Sequence, residues 1–233
     1  MIVYGRNPVH EAIRGPRPVH RIWATKNAAR EPWVAGAGAR VDVSAAEEIE
    51  QRCASHDHQG ICAEVGAFHY ATGDELLAAQ RPLIVVLDQI QDPQNLGAIC
   101  RSAECAGATG VVIGERRSAE VTPAVCKASA GAVEHLPIAQ VRNIADFLGE
   151  AKSGGIWCYG ADGGAPVSYE AVDFDGPVAI VLGSEGRGLR PRVASVCDAL
   201  VAIPLRGRIE SLSVGAAAAV LLYAAASKSA ASA

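Results

Sequence analysis

The chain has 233 residues, enough for one large domain or two modest ones, and half of them are apolar while a fifth are charged. That is ordinary globular composition, and a net charge of −4 excludes a surface that is basic throughout, though not a local basic patch. The most apolar run, "VGAAAAVLLYAAA", is 13 residues long, short of the roughly 20 that cross a bilayer, and "MIVYGRNPVHEAI" lacks the apolar core and cleavage site of a secretory signal.

Residues 1–68 read as a small α/β module. "NPVHEAIR" is a short helix, "VHRIWAT" a strand and "ARVDV" a second strand. "SAAEEIEQRCA" is a helix whose spacing predicts a capping box, with Ser44 at the N-cap and Glu47 three residues on. "GICAEVGAF" is a third strand. Arg6, Arg14, Arg17, Arg21, Lys26 and Arg30 against Glu11 give residues 1–30 a charge of +5, leaving −9 for the remainder. On charge alone a solvated surface and a nucleic-acid face are equally open. His56 and His58 in "HDHQG" lack a third ligand at suitable spacing and read as a polar loop, so no metal is expected. Residues 69–80 form a linker or short connecting helix.

A second domain, 81–233, follows. "PLIVVLDQI" is a continuous apolar run, as in a strand covered on both faces. A helix over 95–106 comes next, then a strand at 110–114, a helix over 122–132 and a strand at 136–141. The helix "IADFLGEAKSG" and the strands "IWCYGAD" and "PVAIVLG" continue the pattern. "PRVASVCD" is helical, "ALVAIP" a strand, and an Ala-rich helix ends the chain. The alternation predicts an α/β fold with a parallel sheet and helices on both faces. Ligands in such sheets bind beyond the carboxyl ends of the strands. The seven cysteines, odd in number and without a CxxC pair, fit a reduced, cytoplasmic protein.

Three loops at strand ends carry unusual residues. In "DPQNLGAICRSAECAG" Arg101 stands four residues after Gly97 on one side of a helix, so its guanidinium is expected to lean over a position with no side chain and to reach a phosphate or carboxylate. The alternative is that Asn95 caps the helix and Arg101 pairs with Glu104 or Asp92. In "VLGSEGRGL" Gly183, Gly186 and Gly188 follow a buried strand in an order that does not match a dinucleotide-phosphate loop. Glu185 is its one acid, with Arg187 or Arg190 as alternative partners. In "AIPLRGRIESLSVGAAAAVLLY" a polar loop leads to a helix that is apolar all round, which must be covered inside the fold or by a second subunit. Ser211 or Ser213 would be its N-cap.

Together, in this order, these stretches resemble the SPOUT methyltransferases, and within them the TrmH (SpoU-type) ribose 2′-O-methyltransferases. The first motif, Asn-x-Gly-x-x-x-Arg, is matched by Asn95, Gly97 and Arg101. The second, Gly-x-Glu-Gly-x-Gly, is matched by Gly183, Glu185, Gly186 and Gly188. The third is matched by Ile203, Pro204, Gly207, Ser211, Leu212 and Val214, and "KASAGA" (127–132) is also typical. The N-terminal segment, through "YGRNPVHEAI" and "HQG", resembles the small ribosomal-protein-like RNA-binding module that many members carry.

The resemblance implies a C-terminal trefoil knot, S-adenosylmethionine as cofactor, and a homodimer with the last helix and the first-motif helix near its interface. It implies methyl transfer to a ribose 2′-hydroxyl in structured RNA, ribosomal or transfer, most closely the 23S rRNA of the large subunit. Arg101, Asn95, Glu185 and Ser213 would be the catalytic residues. Leu182, Gly183, Gly188, Ile203, Pro204, Leu205 and Leu212 would hold the cofactor, and Arg6, Arg14, Arg21 and Arg187 would contact RNA. Ser213 and Gly215 depart from the family's Asn-Val-Ser at the third motif. That departure motivates the alternative of an RNA-binding or ribosome-assembly factor with little catalysis. A nucleotide-dependent oxidoreductase is disfavoured by the glycine order and by the lack of an acidic ribose contact after the first strand.

Overall fold

A computed structural model of the protein describes residues 1–231. The N-terminal module contains strands β1 (Ile2–Tyr4), β2 (Val19–Ala24), β3 (Arg40–Val43) and β4 (Ile61–Val65), with helices α1 (Arg6–Arg14), α2 (Pro32–Ala35) and α3 (Ala46–Cys53). Its sheet has the order β1-β4-β2-β3, antiparallel except for the β2–β3 pair. The three expected strands are present, and β1 joins them at one edge by pairing with β4. The capping box expected at Ser44 is not formed. Helix α3 begins at Ala46 after an extended Ala45 with no side-chain cap, because the Ser44 backbone N–H is engaged with the Ala24 carbonyl at the end of the sheet. A short helix α4 (Gly73–Leu77) follows in the connecting segment, opened by a capping box of Thr72 and Glu75.

The larger sheet contains β5 (Leu83–Asp88), β6 (Gly110–Gly114), β7 (Ile138–Val141), β8 (Trp157–Ala161), β9 (Val167–Ser168), β10 (Val178–Gly183) and β11 (Ala199–Ala202). These lie in the order β7-β6-β5-β10-β8-β11-β9, and every pair is parallel. Val, Ile and Leu make β5 and β10 buried on both faces, as their unbroken apolar runs require. One face is covered by α5 (Pro93–Cys105), α6 (Pro123–Ala128) and α9 (Val214–Ala231), and the other by α7 (Ile144–Ser153) and α8 (Pro191–Val196). The helix expected over 122–132 stops at Ala128. Ala130 and Gly131 turn left-handed, with φ of 52° and 90°. Gly131 must be glycine here: a Cβ would lie 2.6 Å from the Glu11 Cβ of α1.

The module and the larger sheet share a continuous core in which Val3, Val9 and Ala12 join Val125, Cys126 and Val133. At the joint, Arg17 and Glu134 form an ion pair with side chains only 4% and 1% exposed. The Arg17 Nε donates to Glu134 at 2.8 Å, a second nitrogen donates to the other carboxylate oxygen, and the third donates to the Gly66 carbonyl at 3.2 Å. Phe68 lies under the guanidinium, 5.5 Å away. Burial alone would lower the Arg17 pKa, but the bonds and charge of Glu134 outweigh it and raise it. Nearby, Lys127 of α6 donates to the Asp57 carbonyl at 2.8 Å. The Arg6 N–H donates to Gln59 Oε1 at 2.9 Å and Gly5 lies beside Lys127, so the "YGRNPVHEAI", "HQG" and "KASAGA" segments meet each other.

Removing one member of a buried pair leaves the other uncompensated. Glu134→Ala should lower unfolding stability by about 3–5 kcal/mol, while Arg17→Met with Glu134→Leu should recover most of it. Urea denaturation measures both, and a Glu134→Ala loss below about 1 kcal/mol would show that the joint is solvated.

Candidate active site

The carboxyl ends of the neighbouring strands β10, β8 and β11 open into a cleft of about 270 Å³. Ala161–Gly163 follow β8, Leu182–Gly186 and Gly188 continue from β10, and Val201, Ile203 and Leu205 come from β11 and its loop. Glu210–Leu212, Val214 and Ala217 lead into α9 and complete the lining. Its walls are apolar and its rim is polar. Leu205 and Leu212 are each 42% exposed on a polar loop, an arrangement suited to covering a flat apolar group.

The glycine loop is held shut from below. Ser184 and Gly188 bridge each other, and a Cβ on Gly183 would overlap the Gly188 carbonyl group. Gly186 and Gly188 supply left-handed backbone at φ 78° and 65°. Asp88, fully buried at the end of β5, accepts from the Arg190 backbone N–H at 2.9 Å and from its Nε at 2.7 Å.

The structure brings Leu182, Gly183, Glu185, Gly188, Ile203, Leu205 and Leu212 together in this cleft, with Pro204 and Ser213 in the same loop. Ser213 Oγ accepts from the Ala216 N–H and Glu185 Oε1 from the Val214 N–H, both at 3.3 Å, so both side chains cap α9. Glu185 therefore does not pair with Arg187 or Arg190. A second recess adjoins the cleft, and Asn95 lies there with Gln89, Gln91, Asp92, Ser184, Glu185 and Arg187.

Arg101 is elsewhere. Gly97 does not leave an open path for it. A Cβ there would overlap the Ala128 methyl and lie 2.9 Å from the Ser129 nitrogen, so Gly97 serves the close packing of α5 on α6. One turn on, Arg101 is exposed and borders a groove between α5 and α1 with Asn7, Glu11, Arg14, Glu104 and His135. Among the described residues its guanidinium forms no hydrogen bond or ion pair. Asp92, one of its suggested partners, instead caps α5 through the Gln94 N–H at 3.0 Å. Within one chain, Arg101 and Glu185 do not share a cavity.

The three module arginines expected to contact RNA all sit in ion pairs: Arg6 with Glu31, Arg14 with Glu11 and Arg21 with Asp42. The Arg21 hydrogen bond holds the Asp42 carboxyl below its ordinary pKa. Burial pushes the Glu11 pKa up, but the His135 bond and the charges of Arg14 and His10 bring it below the ordinary value. In the "HDHQG" loop, His56 pairs with Glu50 at 2.9 Å, and His58 accepts from the Gly60 N–H at 2.9 Å.

A family model described as the SpoU rRNA Methylase family matches residues 82–223. The chain belongs to the SpoU rRNA methylase family. Residues 2–71 match a second model, described as RNA 2′-O ribose methyltransferase substrate binding. YacO of Bacillus subtilis, named for the TrmH family of tRNA/rRNA methyltransferases, is 36% identical over 232 residues, 95% of this chain and 93% of its own length. A Porphyromonas gingivalis structure assigned to the TrmH family of RNA methyltransferases is 29% identical with a TM-score of 0.77, covering 96% of this chain and 88% of its own. The SpoU methyltransferase AviRb of Streptomyces viridochromogenes, solved with AdoMet, shares the fold at 24% identity with a TM-score of 0.81, covering 98% of this chain and 89% of its own.

Asp88, Asp162 and Gly163 were not singled out in the sequence, and Arg190 was weighed only as a partner of Glu185, although all four shape the site of this SpoU-family enzyme. The signal for Asp88 was present, since it is a carboxylate closing the otherwise apolar run "PLIVVLD". No cysteine lines the cleft or its adjoining recess, and burial pushes the Cys100 thiol up to about 12, so it packs as a small hydrophobe. No three acids, histidines or cysteines cluster to hold a metal among the described residues.

Gly97→Ala should cost of order 1 kcal/mol in unfolding free energy, because overpacking against α6 outweighs the better helix propensity of alanine. Thermal unfolding checks this, and unchanged or raised stability would contradict so close an approach of α5 and α6.

Proposed function

We propose that the chain transfers a methyl group from S-adenosylmethionine to a ribose 2′-hydroxyl of structured RNA, with 23S rRNA the favoured substrate. The observation that carries this reading is the cleft beyond β10, β8 and β11, with its glycine loop against the recess that holds Asn95 and Glu185. The residues present fit the cofactor. Leu182, Val201, Ile203, Leu205 and Leu212 offer apolar walls for an adenine, and the 183–188 loop offers backbone groups where side chains are absent. When bound, the cofactor supplies a methyl group on a positively charged sulfur.

The chain's residues then bind and orient. Glu185, fixed by its bond to the α9 N-terminus, and Asn95 face the recess where the ribose would lie. Arg101 keeps its proton, so its role is to hold the substrate phosphate and stabilise the developing alkoxide. Placement of hydroxyl and methyl in line supplies much of the acceleration. The 2′-hydroxyl requirement makes the enzyme RNA-selective.

Because Arg101 lies outside its own chain's cleft, the functional unit is a homodimer in which a second copy's Arg101 completes the site. Support comes from α9, whose exposed positions include Ala216 and Tyr223, the latter 54% exposed. Ala98 on the Arg101 side of α5 lies against Gly215 of α9, where an added Cβ would meet it at 3.3 Å. The segment leaving β11 returns across the cleft to pack α9 on α5 and β10, and this supports a trefoil knot in the domain 81–233. Residues 1–68 are the RNA-binding domain and 69–80 its linker, and Arg6, Arg21 and Arg187 supply phosphate contacts. The seven free thiols support a reducing cytoplasm.

Arg101→Ala should lower methyl transfer to RNA by about 100-fold or more while calorimetry finds the S-adenosylmethionine affinity within about threefold. Undiminished transfer would remove Arg101 from the mechanism. The departure at Ser213 keeps a second reading, an RNA-binding factor with little catalysis, which predicts RNA binding without transfer by the unmodified protein. On the enzymatic reading, Ser213→Asn keeps or raises turnover, and a large loss would show that the Ser213 hydroxyl has a task beyond the cap.

A further inference from the structure

The groove between α1 and α5 is separate from the cleft and its adjoining recess. Its volume is about 680 Å³, well within the range of ligand sites. We propose that it is an RNA-strand site in which Asn7 and Arg14 of the N-terminal module act together with Arg101 of the same chain. The inference rests on the RNA-methyltransferase reading above and adds which module works with which arginine.

The groove holds donors and acceptors together. Arg14, Arg101 and Asn7 can donate to phosphate oxygens. Glu104, which makes no ion pair among the described residues, can accept from a ribose hydroxyl. Glu11 is already occupied, bonded by His135 at 2.7 Å and by Arg14 at 3.1 Å, so it orients Arg14 instead of opposing the strand. Ser129 and the left-handed Ala130 form the edge nearest α6. Such a mixed lining suits a nucleotide with its phosphate better than a bare anion.

The groove is also fixed in width. Its two walls belong to the module and to the larger domain, and the buried Arg17–Glu134 pair, the Lys127 bond to the Asp57 carbonyl and the Gly131–Glu11 contact hold them together. A strand seated on a module therefore passes its own chain's Arg101. Since Arg101 is outside its own cleft, module and guanidinium form one unit that serves the second copy's cleft.

Arg14 is exposed on α1, so replacing it should leave the fold intact. Arg14→Ala and Asn7→Ala should each raise the KM for RNA, by about tenfold for the arginine, with S-adenosylmethionine affinity and kcat at saturating RNA unchanged. Arg14→Lys should recover part of the loss. An unchanged KM in Arg14→Ala would remove the groove from RNA binding even while Arg101→Ala remains inactive, so the two readings fail separately.

The pairing is tested with differently tagged mixed dimers carrying Arg14→Ala in one chain and Arg101→Ala in the other, assayed at subsaturating RNA. If Arg14 works with its own chain's Arg101, neither unit is intact and activity stays near about one-twentieth of the unmodified dimer, half of the tenfold-reduced rate. If Arg14 works with the partner subunit's guanidinium, one intact unit remains and about half the activity returns, which would overturn the same-chain assignment.

Discussion

The carboxylate of Asp88 constrains the site more than any other group. It is fully buried where β5 ends, in register with Gly183 of β10. An unpaired charge at that depth is strongly destabilising, and its partner, Arg190, lies beyond the glycine loop on the adjacent strand. The chain leaving β10 must therefore turn and come back to β5 within a few residues. Gly183 permits the close return and Gly186 and Gly188 permit the turn. The loop's peptide groups then face the space beyond β8 and β11, and the cleft follows. The cleft is thus shaped by an ion pair that does not line it.

The same structure separates two tasks. The glycine-loop cleft lies on the β10-β8-β11 side, while Arg101 stands across α5 beside the N-terminal module. A buried pair, Arg17 with Glu134, makes the module part of the larger domain's core. Residues that look like a recognition motif in sequence, in "KASAGA" and "YGRNPVHEAI", spend part of their chemistry on that joint. Gly131 and Lys127 are there for packing and for a carbonyl contact. Arg14 and Asn7, on the outer turns of α1, are left facing the groove.

The fold was largely legible because its signals are local. Unbroken apolar strands alternating with amphipathic helices specify a parallel sheet, and each strand from β5 to β11 except the two-residue β9 was anticipated. The glycine loop and the 203–214 loop were legible for the same reason, since they interrupt strong periodic patterns. What failed involved tertiary competition. Ser44 looks like a cap, but the sheet takes its backbone N–H, and the helix starts two residues later. Gly97 looks like space for Arg101, but α6 fills it. Asp88 with Arg190, and Arg17 with Glu134, are paired across 102 and 117 residues, a separation no periodic pattern encodes.

The central claim is chemical: the transferred methyl ends on a ribose oxygen. RNA from cells lacking this enzyme, incubated with the protein and S-adenosylmethionine labelled in its methyl group, can be digested with alkali. Cleavage needs a free 2′-hydroxyl, so label recovered in alkali-resistant dinucleotides is expected. Label recovered in mononucleotides would place the methyl on a base and contradict the account.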